Sequence, residues 1–323
     1  MPSARLAIVT PVYDDWESFR ELIRRLDAMA GAKPDTVFDV IAVDDGSTEP
    51  LPGALLADAA IAHLARVDVL RLACNLGHQR AIALGLVEVE ARGTYEAVIV
   101  MDSDGEDRPE DIPMLLAALR AHPRRVVVAR RARRSEGLVF RSLYSIYKIV
   151  FRLLTGKGIA FGNFCVLPAP WVSRLVSMPE IWNNLAGAIT RSRMPIHAYP
   201  TDRGVRYAGE SKMNLVGLLV HGLSAVSVYS DVAFTRILVF SCALAVLTIV
   251  GIGAVIGIRF FTDLAIPGWA TYTVAALVIV LLQTLMLSLG SVFLLLNNRS
   301  MPQLLPRRMA AEYVTSTTTL HAG

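Results

Sequence analysis

The sequence predicts an α/β domain on a mostly parallel sheet, followed by a hairpin of two transmembrane helices. Three observations carry that expectation. Short β-branched runs alternate with helical patterns through the first half, a polar cluster closes each of four of those runs, and two long apolar stretches without charge lie near the C-terminus. The mean hydropathy of +0.47 is too high for an ordinary soluble chain, and those two stretches account for the excess.

The strand runs come first. Arg5–Thr10, Val37–Val43, Val67–Leu72, Glu96–Met101 and Val126–Ala129 read as strands, with helical patterns at Asp15–Met29, His78–Val89 and Glu110–Ala121 between them. Largely apolar strands alternating with helices indicate a parallel sheet covered on both faces. In such sheets ligands bind in the loops at the carboxyl ends of the strands. Beyond residue 135 the pattern turns helical: Gly137–Leu154 mixes apolar residues with Arg141, Lys148 and Arg152, Met213–Val228 is largely apolar, and both suit helices lying in a membrane interface. Packing against the sheet is the other reading of both. Ile237–Ile258 and Ala270–Leu296 are free of charge and long enough to cross a hydrocarbon core of about 30 Å. The tail Thr315–Thr319 is expected to be disordered.

Arg236 precedes the hairpin, and Arg299, Arg307 and Arg308 follow it. Basic residues favour the cytoplasmic side, which puts both termini and the α/β domain in the cytoplasm and the chain in the cytoplasmic membrane as a multi-pass protein. The N-terminus carries no basic region followed by a long apolar core, so no signal peptide is expected. The boundaries read as 1–212 for the α/β domain, 213–236 for an interfacial region, 237–298 for the hairpin and 299–323 for a tail. Cys74, Cys165 and Cys242 are too few and too scattered for a disulfide framework or a metal cage. The net charge of +4 does not argue for nucleic acid, because the arginines gather near the hairpin and near one candidate site, where phosphate and anionic lipid are the better partners.

The polar clusters carry the chemistry. Thr10–Asp15, Val43–Ser47, Asn75–His78 and Met101–Asp107 each close a strand, so all four should meet along one sheet edge. Asp102 and Asp104, one residue apart on a turn, suit a hard divalent cation, Mg2+ or Mn2+, with positions left for a diphosphate, and Glu106 is a candidate third ligand. A solvated acidic turn is the alternative. Asp44 and Asp45 either cap the next helix or accept hydrogen bonds from a base or ribose. His78 reads as a helix-start residue rather than a ligand.

Together these residues resemble the glycosyltransferase family 2 catalytic domain, whose fold is called GT-A, and more narrowly the polyprenyl-phosphate glycosyltransferases related to dolichyl-phosphate mannose synthase. PVYDD resembles the family's PVYNE, VDDGS matches directly, and NLGHQRAIALGL and DSDGEDRPEDI resemble two further segments. The resemblance covers about residues 5–236. It implies nucleotide-sugar contacts at Pro11, Tyr13, Asp14, Asp45 and Asp102, with Asp44 and Gly77 grouped beside them, and metal contacts at Asp102 and Asp104. Glu106 stands where the family usually has a glutamine ligand. Arg131 joins Asp102 and Asp104 as a candidate catalytic residue. Two basic clusters then read as phosphate sites: Arg131 and Arg134 after the fifth strand, and Arg206, Ser211 and Lys212 in a loop similar to the family's R-x-x-G-x-[ST]-K. Relatives often carry Asp-aromatic-Arg where this chain has Asn163-Phe164-Cys165, so Asn163, grouped with the acceptor residues, cannot serve as a base.

The implied reaction is inverting transfer of a sugar from a nucleotide-sugar to a polyprenyl phosphate, with homo-oligomers held through the membrane helices. A family 2 transferase with another lipid-linked or glycan acceptor, and a catalytically silent nucleotide-sugar-binding scaffold, are the alternatives. A processive polysaccharide synthase is disfavoured by the lack of Q-x-x-R-W and by only two spans.

Overall fold

β1 (Ala4–Val12) is buried from Leu6 onward, and its side chains alternate between two cores. Leu6 and Ile8 join Phe19, Leu22 and Leu115 on one face, while Ala7 and Val9 join Ile82 and Leu86 on the other. A strand apolar on both faces belongs inside a sheet covered by helices on both sides. The computed structural model has this arrangement. It describes residues 4–53, 55–56, 61–131, 148–158, 161–209, 222–262, 266, 268–300 and 303–323.

β2 (Thr36–Asp44), β3 (Leu64–Leu72), β4 (Ala97–Val100), β5 (Val126–Arg131), β6 (Cys165–Pro168), β7 (Ile196–Thr201) and β8 (Val314–Ala322) complete an 8-stranded sheet in the order β7-β5-β6-β4-β1-β2-β3-β8. β3, β2, β1 and β4 run parallel, as do β5 and β7, whereas β6 and β8 run against their neighbours. The expected mostly parallel α/β sheet is therefore present.

α1 (Trp16–Gly31) buries Phe19, Leu22, Ile23, Leu26 and Ala30, the stripe of an amphipathic helix lying on one face. α2 (His78–Arg92) is buried on most of its circumference, because α4 (Ala169–Leu175) and α5 (Leu185–Arg191) add a further layer outside it. α3 (Ile112–Ala121) packs beside β5 and β6.

The chain divides into two compact units. One comprises residues 1–141, 159–228 and 303–323 and carries the sheet; the other comprises 142–158 and 229–302. The tail departs from expectation. Residues 314–322 are not disordered but form β8, antiparallel to β3, and α8 (Pro306–Tyr313) packs on α2. Thr319 Oγ1 donates to the buried Asp68 at 2.8 Å, and Arg66 donates to Thr319 Oγ1 at 3.1 Å. Its threonines suit an extended edge strand, and they carry no apolar alternation because little of the strand is buried.

In the second unit α6 (Ser230–Phe261) and α7 (Trp269–Ser300) each run for 32 residues and form the expected hairpin. Their seam is made by small and hydroxylated side chains, with Ser241 and Ser288 hydroxyls 2.7 Å apart and Thr248, Thr284 and Ser291 buried. Only 22% and 11% of their most apolar windows are buried, the reverse of what a core helix of a soluble protein requires. Both helices are long and apolar enough to cross a membrane. The helical segment 148–155 belongs to the same unit. It is fixed by an edge-on contact of Phe151 with Tyr229 and by Arg236, which donates to the Leu153 carbonyl at 2.7 Å. Ile149, Val150 and Leu153 remain exposed. Of the two regions read as interfacial, Gly137–Leu154 and Met213–Val228, residues 137–147 and 213–221 lie outside the described residues.

Candidate active site

The four polar clusters meet at the carboxyl edge of the sheet, where β1 separates β2 from β4 and the strand order changes direction. Two more segments reach the same edge. β7 is parallel to β5, so residues 203–209 leave it there. β6 is antiparallel to β4, with Cys165 opposite Val100, so its leading residue Asn163 also arrives there.

The loops after β1, β2 and β3 are stitched together by their own carboxylates. Asp14, with an unusual φ of 44°, accepts from the backbone N–H groups of Thr48 at 2.8 Å and Glu49 at 3.0 Å, and from the Thr48 hydroxyl. Asp44 accepts from the Ser47 N–H at 2.9 Å, with Arg71 3.8 Å away. Asp45 accepts from Leu76 N–H at 2.7 Å and Gly77 N–H at 2.9 Å. Gly46 permits this closeness: its φ is +67°, and a Cβ there would stand 2.4 Å from the Cys74 carbonyl carbon. Asp14, Asp44 and Asp45, expected at the nucleotide, thus also build the cradle. Pro11 is buried inside β1, Tyr13 stands exposed beside Asp14, and Gly77 caps α2 with its N–H turned to Asp45. A cleft of about 510 Å³ opens beside them, lined by Asp14, Asp15, Trp16, Glu49, Arg206 and Gly209 among others.

Asp45 is 2% exposed, and burial pushes its carboxyl up to about 6 against the pull of its two N–H donors. The folded state therefore holds the proton more tightly than the unfolded chain, whose carboxyl titrates near the ordinary 3.8. The Asp45 contribution to stability accordingly falls as the pH rises from about 4 to about 6 and is level above that. The difference in unfolding free energy between the protein and Asp45→Asn, measured by denaturant titration across pH 4–7, is expected to follow that course. A flat difference would show that Asp45 titrates normally.

The Asp102–Asp104 turn follows β4. Asp107 accepts from the Asp102 N–H at 3.0 Å, and Asp104 Oδ1 accepts from the Glu106 N–H at 2.9 Å. The segment 203–208 lies against the turn: Tyr207 N–H donates to the Asp104 carbonyl at 2.8 Å and Gly204 N–H to the Glu106 carbonyl at 2.9 Å. Gly105 is needed there, since its φ is +94° and a Cβ would stand 2.7 Å from the Tyr207 ring. Arg206 donates to Asp104 Oδ2 at 3.1 Å and to Asp15 Oδ2 at 2.6 Å. Burial pushes the Asp104 carboxyl up, and neighbouring Asp102 and Glu106 act in the same direction.

Glu106 pairs with Arg203. Among the described residues no three His, Cys, Asp or Glu side chains come together as a metal cage. Asp102 and Asp104 still offer hard carboxylate oxygens, which suit Mg2+ or Mn2+ when a substrate phosphate supplies further ligands. Asn163, grouped with the acceptor residues, lies beside Asp102, its Nδ2 3.4 Å from Asp102 Oδ1. Arg206, expected at a phosphate, is held by carboxylates. Arg131 ends β5 and is described through its backbone alone, while Arg134, Ser211 and Lys212 lie outside the described residues. His78 begins α2, as its sequence position suggests. Arg203, Tyr207 and Gln79 are residues to which the motifs gave no role, and Asp15, the last residue of the first polar cluster, was given none either. Gln79 leaves no local trace, because His78 and Arg80 flank it and nothing in the chain's order marks it apart from them.

Residues 7–173 match the family described as glycosyl transferase family 2. The chain belongs to that family, and its mixed α/β sheet is the GT-A architecture expected of it. An undecaprenyl-phosphate 4-deoxy-4-formamido-L-arabinose transferase of Klebsiella pneumoniae is 33% identical over 172 residues, covering 52% of this chain and 49% of that protein. One of the same description from an Enterobacter species is 28% identical over 253 residues, covering 75% and 73%. The chain spans about half the length of the first curated relatives it matches. A structure of glucosyl-3-phosphoglycerate synthase from Mycobacterium tuberculosis, in complex with Mn2+, UDP-glucose and phosphoglyceric acid, aligns with a TM-score of 0.48 at 16% identity, covering 72% of this chain and 79% of that one.

Proposed function

We propose that this chain transfers a sugar, with inversion, from a nucleotide-sugar to a polyprenyl phosphate at the cytoplasmic face of the membrane. The observation that carries the reading is the Asp102–Asp104 turn at the carboxyl edge of the sheet, beside a cleft of about 510 Å³. The names of the relatives, undecaprenyl-phosphate sugar transferases, support the acceptor. The exposed apolar helices α6 and α7 support a membrane anchor, and Arg236, Arg307 and Arg308 support cytoplasmic termini.

Asp102 and Asp104 would hold Mg2+ or Mn2+, which would supply positive charge against the departing nucleoside diphosphate. Asp45 and Asp14 keep the nucleotide cradle closed through the loop bonds described above. In the reaction a bond forms from an acceptor phosphate oxygen to the anomeric carbon as the bond to the diphosphate oxygen breaks. A phosphate monoester near neutral pH already carries about 1.5 to 2 negative charges, so no side chain need remove a proton from it. An asparagine at position 163 is compatible with that acceptor and not with a hydroxyl acceptor that depends on a base there. Arg131, Arg134, Ser211 and Lys212 are assigned to phosphate, and Arg206 becomes available to it on leaving Asp104.

The test uses the full chain in detergent with Mn2+, a panel of radiolabelled nucleotide-sugars and a short-chain polyprenyl phosphate, with label followed into the organic phase. One donor is expected to label the lipid. Donor hydrolysis without labelled lipid would remove the polyprenyl phosphate, and no turnover with any donor would leave a nucleotide-sugar-binding scaffold.

A further inference from the structure

Gln79 is a polar side chain near the start of a buried helix, and only 6% of it is exposed. Its amide is fully used. Oε1 accepts from the Leu185 N–H at 2.7 Å, while Nε2 lies 2.9 Å from Asn163 Oδ1 and 2.9 Å from His78 Nε2. Leu185 is the first residue of α5, so its N–H has no partner within its own helix.

These contacts have a direction that the chemistry fixes. A backbone N–H can only donate, so the Gln79 atom facing Leu185 must be the oxygen. The Gln79 nitrogen then faces Asn163, which must present its own oxygen there. The Asn163 nitrogen is thereby turned toward Asp102 Oδ1, 3.4 Å away, at the long end of the hydrogen-bond range. The second N–H of Gln79 needs an acceptor at His78 Nε2, and burial lowers the His78 pKa, which keeps that imidazole neutral.

We infer that Gln79 and Asn163 form a directed amide relay, running from the Leu185 N–H to Asp102, that positions the Asp102 carboxylate for the cation. Both are positioning residues, and the inference rests on the proposed metal role of Asp102. One carboxylate oxygen is tied from the side, while the Asp107 carboxylate accepts from the Asp102 backbone N–H and fixes the main chain. The relay also gives residue 163 a place on the donor side of the site. Partners that orient a metal ligand from behind typically change metal affinity about 10- to 100-fold when they are lost.

Gln79→Glu tests the direction of the relay, because it keeps the size of the side chain and an acceptor for Leu185. Its second oxygen would face the oxygen of Asn163, so the amide of Asn163 must reverse and turn its oxygen on Asp102. Mn2+ binding to the full chain in detergent, without donor, is followed by electron paramagnetic resonance, with thermal unfolding as the fold check. Asp102→Asn serves as the reference. Gln79→Glu and Asn163→Leu are expected to weaken Mn2+ by about 10-fold or more. Binding as in the unaltered protein in both, with loss in Asp102→Asn, overturns the relay and leaves the metal role standing. Undiminished binding in Asp102→Asn overturns the metal role and the relay with it. Should Gln79→Glu fail to fold, Asn163→Leu decides on the same readout.

Discussion

Asp104→Asn is expected to lower the turnover number for sugar transfer by about two to three orders of magnitude while leaving the fold intact. Asp104 would hold the cation that neutralises the departing diphosphate, and losing one such stabilising charge costs about that much. The variant keeps an oxygen for the Glu106 N–H, now 2.9 Å from Asp104 Oδ1, so the turn retains its internal bond. It sets an amide nitrogen against the Arg206 guanidinium, where the carboxylate accepted at 3.1 Å. Arg206 keeps Asp15 at 2.6 Å and the Ala208 carbonyl at 2.9 Å, enough to hold the 203–208 segment in place. Turnover at saturating donor and Mn2+, together with the melting temperature, separates chemistry from folding. Unchanged turnover would take Asp104 out of the metal site, and lost turnover with a collapsed melting transition would make its role structural.

Arg206 supplies a positive charge to Asp104 and Asp15. A divalent cation and a donor diphosphate would bring opposite charges to the same place, the cation to Asp104 and the phosphates to a guanidinium. Exchange of partners between Arg206 and the incoming ions conserves the charge balance of the site, so the acidic turn is never left as a bare cluster of carboxylates.

The fold was legible where burial shapes the sequence. β1 to β5 read as apolar runs because helices cover both faces of the strands, and the hairpin read as two uncharged stretches because lipid is its solvent. β6 has four residues, too few for a pattern. β7 is half exposed, and β8 is a polar edge strand whose only signal is its β-branched threonines. The site divides in the same way. Asp102, Asp104, Asp44 and Asp45 sit in local motifs and could be picked out in a line of text. The bond of Arg206 to Asp15 joins residues 191 positions apart, and that of Gln79 to Asn163 joins residues 84 apart. Such pairs depend on which strands run antiparallel, and no short-range pattern encodes that. Asn163 reaches the donor side only because β6 enters the sheet from the carboxyl edge.

Ending the chain after residue 302 is expected to destabilise the sheet-bearing unit by roughly 3–5 kcal/mol, taking about 1 kcal/mol net for each of several lost hydrogen bonds and offsetting part of it by the freed chain entropy. For a domain of about 150–250 residues that corresponds to a fall in melting temperature of roughly 6–20 °C. The segment pairs along β3, accepts the Ala73 N–H at the Tyr313 carbonyl at 2.9 Å, and accepts the Trp182 indole N–H at the Leu304 carbonyl at 2.7 Å. Removing it opens the edge of β3, whose inner residues Val67, Val69 and Leu70 are buried, and an open apolar edge invites pairing between copies. Thermal unfolding with light scattering reads both effects. Thr319→Val separates the side-chain bond from the ladder, since it keeps the β-branched shape and removes the hydroxyl that bonds to Asp68. Asp68 retains Arg66 and Arg92, each at 2.7 Å, so this variant is expected to cost only about 1 kcal/mol. If truncation left the melting temperature where it was, β8 would be no part of the folded sheet in solution; if Thr319→Val cost as much as truncation, the Asp68 bond rather than the ladder would hold the tail.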